Sequence, residues 1–239
     1  MLYLIGLGLN DEKDLSLKAV EIAKKCDCYV ELYTSIWKGS LKNLERLIGK
    51  EIKHLKRKNM EEKSDFLIEK AKRSDIAVFV PGDPLTATTH IDLVYQAKLR
   101  KIQVKIIHNA SIFSAIGETG LQIYKFGKTA TIPMSGKLEN VKKTLKGNKK
   151  MGLHTLLLLD IDREVNINLT VPDALKMLLK AKLVKEFDSL VVFSRAGGES
   201  ELFYNTVRDL VKKPINLPAV LVVPGKLHFS EKDFLETFQ

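Results

Sequence analysis

Short apolar runs alternate with helically patterned segments along nearly the whole chain. The runs LYLIGLGL (2–9), CYVELY (28–33), IAVFVPG (76–82), IQVKIIH (102–108), TATIPM (129–134), HTLLLLDI (154–161), SLVVFSR (189–195) and AVLVVPG (219–225) read as strands. Their near-continuous hydrophobicity is that of strands buried on both faces. Between them, apolar positions recur every three or four residues over 40–48, 60–73, 86–99, 111–124, 171–183, 200–212 and 230–238, and also in DLSLKAVEIAKKC after the first strand. That period predicts helices. The alternation implies an α/β protein with mainly parallel sheets and helices on both faces. The interval 134–152 is the most polar and least periodic, so two α/β domains, 1–128 and 129–239, are expected.

One helical segment differs from the rest. IHNASIFSAIGETGLQIYKFG (107–127) carries little charge and sets Ala110, Ser114 and Gly117 on one side, with Ser111, Ala115 and Gly120 close by. A glycine inside a helix costs roughly 1 kcal/mol relative to alanine, so a ligand or a neighbouring element is expected to approach this face closely. Ser111 is a good N-cap, and free amides at that helix start suit a ligand carboxylate.

Two further strand ends look built for binding. GLGLND (6–11) resembles the start of a dinucleotide fingerprint, but Asp11 occupies the position of the third glycine. An acid at that helix start would repel a pyrophosphate, which argues against a nicotinamide or flavin dinucleotide. In VPGDPLTATTH (80–90), Pro81 and Pro84 bracket Gly82 and Asp83. The prolines fix two backbone angles, and Thr86, Thr88 or Thr89 can cap the helix that follows. Asp83 then lies at the carboxyl end of a parallel strand, where open sheets bind ligands. Its carboxylate suits an ammonium or sulfonium group better than a phosphate, or else closes a local turn on nearby amides.

Charge and composition narrow the classes. The 239 residues carry a formal net charge of +10, with basic runs at 49–59, 142–150 and 179–186. These runs fit either a docking surface for an acidic partner or solvated helix faces. No aromatics interleave with them, which weakens a non-catalytic RNA-binding reading. Cys26 and Cys28 are read as ordinary thiols, and no two of the five histidines share metal-ligand spacing with a third donor, so no metal is expected. Trp37 is read as a loop anchor. The N-terminal apolar run is too short for a signal peptide or a membrane span, so the chain is expected in the cytoplasm.

Taken in order, LIGLGLNDEKDLSLKAVEIAKKCD, YTS, IGKEI, PGDPLTATTH, IHNASIFSAIGETGLQIYKFGK, GLHTLLLLDI, SRAG and VPGKLH closely resemble the diphthine synthases. These are tetrapyrrole-methylase-like (class III) methyltransferases. The resemblance implies a two-domain fold with S-adenosylmethionine in a cleft between the domains, a homodimer, and S-adenosylhomocysteine as product. It implies N-methylation of the 3-amino-3-carboxypropyl group on a histidine of translation elongation factor 2. The family's donor contacts fall on Leu9, Asp83, Thr86, Ser111, Ile112, Leu159, Ala196 and Ala219. At Ala219 relatives often carry histidine, so a side-chain hydrogen bond is missing there. Relatives also carry a proline- and aromatic-rich stretch after residue 134 and small residues after SRAG, neither of which this chain has. No general base is assigned. A methylase of a corrinoid precursor is the nearest alternative of the same fold.

Overall fold

The computed structural model describes residues 1–61, 64–162 and 165–238. The chain falls into two compact units, Met1–Phe113 and Ser114–Gln239. In the first, β1 (Leu2–Gly6) leads through a short 3-10 turn into α1 (Leu17–Ala23), β2 (Asp27–Glu31), α2 (Leu41–Ile48) and β3 (Ile52–Leu55). Then come α3 (Arg57–Glu61), α4 (Asp65–Ala71), β4 (Ile76–Val80), α5 (Ile91–Leu99), β5 (Val104–Ile107) and the start of α6 (Ile112–Ala115). The five strands pair in the order β3-β2-β4-β1-β5, every pair parallel. Strand periodicity explains the layering. Leu4, Tyr29 and Val78 join one core cluster, while their neighbours Ile5, Val30 and Phe79 join the cluster on the opposite face. A strand that must satisfy two cores has no polar positions to spare, hence the unbroken apolar run of β4.

The second unit holds β6 (Ala130–Ile132), α7 (Glu139–Lys150), β7 (Thr155–Leu159) and a small antiparallel pair, β8 (Ile161–Asp162) with β9 (Ile167–Asn168). It continues with α8 (Val171–Lys180), β10 (Ser189–Ser194), β11 (Glu201–Thr206), α9 (Val207–Leu210), β12 (Ala219–Val223) and α10 (Phe229–Glu236). Its sheet order is β11-β10-β12-β7-β6. Only β6 and β7 pair in parallel; the remaining neighbours are antiparallel. The parallel expectation therefore describes the first sheet, and the second is mixed.

Several expectations need correcting. Residues 114–128, assigned by sequence to the first domain, belong to the second unit. Hydrogen bonds explain it: Gln122 N and Lys125 Nζ donate to Glu231 on α10, and Gly127 N donates to the His154 carbonyl. The expected helix 111–124 is one α-turn, α6, followed by 3-10 turns at Ile116–Thr119 and Ile123–Lys125. Gly120 stops it at φ 73°, and a Cβ there would lie 2.1 Å from the Phe234 ring of α10. The approach inferred for this segment is thus made, at Gly120, by the chain's own helix.

The helix expected over 86–99 starts only at Ile91, because Ala87 turns left-handed at φ 55°. None of the three threonines caps it: Thr86 bonds Asp83, Thr88 the Pro84 carbonyl and Thr89 Glu61. The helix expected over 200–212 is β11 followed by the single turn α9, since LFYNT is β-prone and pairs antiparallel with β10 through the connection 195–200. The polar interval 134–152 contains α7, whose inward positions Val141, Thr144, Leu145 and Asn148 keep the helical period with only two apolar residues. Part of the basic run 49–59 forms β3 and the start of α3. The helix expected over 60–73 is represented by the end of α3 and by α4, with 62–63 outside the described residues.

Candidate functional site

β1 lies between β4 and β5, so the carboxyl ends of these three parallel strands are neighbours. The register pairs Gly6 with Val80 and Ile5 with Ile107, which brings the following loops out level. Gly8 and Gly82 then form an isolated bridge, with Gly82 N to Gly8 O at 2.8 Å and Gly8 N to Gly82 O at 3.2 Å. Both have positive φ, 82° and 68°, which a side chain would strain. This bridge staples the GLGLND turn to the proline corner.

Asp83 is the hub of the corner. It is 7% exposed. One carboxylate oxygen accepts from Leu85 N at 3.0 Å and Thr86 Oγ1 at 3.3 Å. The other accepts from His108 Nδ1 at 2.7 Å and Asn109 N at 3.3 Å. Burial pushes its pKa upward, but the Leu85 amide, the His108 imidazole and the Asn109 amide outweigh it and hold the carboxyl below the usual aspartate range. Asp83 is therefore an ionised carboxylate that closes a local turn and ties the end of β4 to the end of β5. Of the two alternatives drawn from sequence, the turn-closing carboxylate is the one these bonds display.

Asn109 extends the lacing. Its Nδ2 donates to the carbonyls of Gly6 and Asp14, each at 3.0 Å. Ser111 is buried, and a Cβ on Gly82 would meet the Ser111 Cβ at 3.7 Å. Leu9, Thr86 and Ile112 are half-buried. Leu9 follows the Gly8 bridge, Thr86 sits on Asp83, and Ile112 follows Ser111. These five sequence-derived positions are thus gathered around one set of strand ends. Because α6 is a single turn, the case for a ligand carboxylate at its start rests on no helix of useful length.

The remaining three positions gather in the second unit. Leu159 ends β7 and Ala219 begins β12, one residue beyond the Leu158–Val220 pair. Ala219 also pairs with Ser194, the last residue of β10, and Ala196 follows in the turn that Arg195 opens at φ 53°. All three stand at one end of that sheet.

Sequence reasoning passed over several residues that shape the corner. Glu31, the last residue of β2, is fully buried, and its carboxylate accepts from Tyr33 N, Thr34 N and Thr34 Oγ1 at 3.0, 3.2 and 2.6 Å. Burial pushes its pKa up to about 7 against those bonds. His90 is also buried, and burial lowers its pKa. A charged residue inside the apolar run CYVELY, and a histidine ending the proline motif, were the available signals. Cys26 and Cys28 are buried free thiols, each pushed up to about 11 by burial. Trp37 packs against the core beside Gly39, consistent with a loop anchor.

Residues 1–211 match the family model described as Tetrapyrrole (Corrin/Porphyrin) Methylases. A diphthine synthase of Methanococcus vannielii is 42% identical over 249 residues, covering 99% of this chain and 98% of that protein. That of Methanocaldococcus jannaschii is 42% identical over 251 residues with the same coverage. A crystal structure of diphthine synthase superposes with a TM-score of 0.93 at 37% identity, covering 99% of this chain and 95% of the other.

Proposed function

The chain belongs to the diphthine synthases of the tetrapyrrole methylase family, and from that premise we propose S-adenosylmethionine as its methyl donor. As a member it is a methyltransferase of diphthamide biosynthesis. The acceptor in this reading is the amino group of the 3-amino-3-carboxypropyl-histidine on translation elongation factor 2. Donor contacts are assigned to Leu9, Asp83, Thr86, Ser111, Ile112, Leu159, Ala196 and Ala219.

One observation carries the donor assignment: Asp83 is buried and ionised at the strand ends, held there by the Leu85 and Asn109 amides, the Thr86 hydroxyl and the His108 imidazole. A fixed negative charge there disfavours a phosphate and favours a cation. When bound, the donor supplies an electrophilic methyl group on a sulfonium. Transfer breaks the sulfur–carbon bond, with its electron pair returning to sulfur, and forms a nitrogen–carbon bond while the amine releases a proton. The chain's own contribution is placement. Asp83 commits its bonds to the Leu85 and Asn109 amides, the Thr86 hydroxyl and the His108 imidazole, so it acts on the donor by charge and by the shape of the corner. Orientation of reactants supplies up to roughly 7–11 kcal/mol of barrier reduction, enough to make a dedicated base unnecessary for an amine already neutral on encounter.

Among the described residues no helix is long and apolar enough to cross a membrane. The working form is assigned as a cytoplasmic homodimer. In support, α5 leaves Ile91, Tyr95 and Leu99 exposed at four-residue spacing, an apolar stripe of the kind interfaces cover. Light scattering reads the mass, and a monomer at working concentration removes the dimer.

The deciding experiment incubates the protein with methyl-labelled S-adenosylmethionine and elongation factor 2 bearing the unmethylated intermediate. Label on the modified histidine supports the assignment. Label absent there but present on a corrinoid precursor would replace it.

A further inference from the structure

The proline corner is braced on its second side by a cluster that the donor assignment does not use. His90 Nδ1 lies 3.2 Å from the Pro84 carbonyl, and His90 Nε2 lies 3.3 Å from the Tyr33 hydroxyl. The Glu31 carboxylate is 3.7 Å from the same Nε2. Elementary valence settles the direction of each bond. A carbonyl only accepts, so Nδ1 carries the proton and donates to Pro84. In the neutral ring Nε2 is then the acceptor, and Tyr33 donates to it. Tyr33 and Thr34 are in turn fixed by the Glu31 carboxylate, which takes both of their amides. Arg57 stacks over the Tyr33 ring, 5.7 Å from its centroid.

We infer that His90 is a positioning residue for the methyl donor: it latches the Pro84 carbonyl of the donor corner to the end of β2 through Tyr33. The geometry is what makes a latch necessary. Pro84 has no amide, so it cannot be pinned by its own N–H. Among the described residues its carbonyl accepts from His90 and from Thr88 Oγ1 at 2.7 Å, which follows it in the same loop. Thr88 belongs to the corner loop itself, whereas His90, 2% exposed, is the residue from which α5 starts. Asp83 fastens the corner to β5, the glycine bridge fastens it to β1, and His90 fastens it towards β2. Without His90 the Pro84 carbonyl keeps only its bond from Thr88 within the loop, so the segment that carries Thr86 loses its tie towards β2 while Asp83 and the glycine bridge stay in place.

This inference rests on the donor reading above, and the test separates them. Calorimetry with S-adenosylmethionine, together with donor KM and kcat, is run on wild type, His90→Ala, His90→Asn and His90→Gln, with each unfolding midpoint recorded. Asparagine carries an amide where Nδ1 stood and can still donate to Pro84; glutamine places its amide where Nε2 stood and cannot. The expected result is donor affinity weakened roughly tenfold in His90→Ala and His90→Gln, the scale of one lost buried hydrogen bond, with kcat at saturating donor little changed. Recovery in His90→Asn is expected irrespective of its midpoint. Wild-type affinity in His90→Ala overturns the latch, and so does equal weakening in His90→Asn and His90→Gln, which also decides the matter if His90→Ala does not fold. Failure of wild type to bind would sink the donor reading itself, and the latch with it.

Discussion

Buried carboxylates in this protein are tuned in opposite directions, and pH separates them. Glu231 accepts from His228 N, Gln122 N, Lys125 Nζ and His154 Nε2. Burial opposes ionisation, but those donors hold its pKa down to about 2. A depressed value means the folded state gains from the carboxylate above the ordinary range and loses that gain as pH falls towards about 2. Glu31 is the reverse case. Its value, raised to about 7 by burial, means the folded state is favoured below the ordinary carboxylate range and penalised as pH rises through 7. Glu231→Gln is therefore expected to lower the unfolding midpoint most at neutral pH, with the deficit shrinking in acid. Breaking a buried pair costs about 3–5 kcal/mol. Glu31→Gln keeps an acceptor for the two amides and a donor for Thr34, so its midpoint should gain on wild type as pH rises from the ordinary value of 4.5 to about 7, the span in which the unfolded carboxyl ionises before the folded one. Midpoints that shift in parallel at every pH would contradict both assignments. At the donor corner, Asp83→Ala should weaken S-adenosylmethionine binding at least roughly tenfold, since it removes a buried charge and unties four donors. Calorimetry reads this directly, and an unaltered dissociation constant refutes it.

Elements differ in how far the sequence announces them, and the reason is where each gets its order. Strands β1, β2, β4 and β10 read plainly, because a strand that serves a core must be apolar residue by residue. β3 and β11 did not, since edge strands have a partner on one side only and tolerate Lys53, His54, Glu201 and Asn205. α7 was hidden because Thr144 and Asn148 take inward positions that pattern reading reserves for apolar residues. Asn148 earns its place by bonding the Lys128 carbonyl and amide and the Thr155 hydroxyl. The candidate site followed the same division. Asp83 was legible as a strand-end acid between prolines, whereas His90 and Glu31 act through partners some sixty positions apart in sequence, a relation no local spacing encodes. The segment 114–127 looked helical from its apolar positions, yet its glycines were the better guide. Gly120→Ala sets a Cβ against Phe234 in a left-handed backbone, so it should destabilise by about 2 kcal/mol. Phe234→Leu should recover part of that loss, by differential scanning calorimetry. Additive losses would mean the two residues do not meet.

At the scale of the molecule, charge is what remains to be used. Thirty-nine lysines and arginines face 29 acids, a surplus of ten. α7 concentrates part of it: Lys142, Lys143, Lys146, Lys149 and Lys150 are all exposed, opposite the buried Val141, Thr144, Leu145 and Asn148. Helical spacing gathers these five onto one face, so their potentials add in front of the helix instead of cancelling around it. A donor held beside a single carboxylate gains little from such a field. A protein acceptor with an acidic surface gains in encounter rate. The two substrates should therefore respond differently to salt. Raising ionic strength to about 0.15 M shortens screening to about 8 Å, so kcat/KM for the protein acceptor should fall several-fold while the donor dissociation constant barely changes. Reversing Lys143, Lys146 and Lys150 to glutamate should reproduce the fall at low salt and flatten the salt dependence, leaving donor binding intact. An acceptor rate indifferent to salt, or equal in the reversed variant, would assign these lysines to solvation alone.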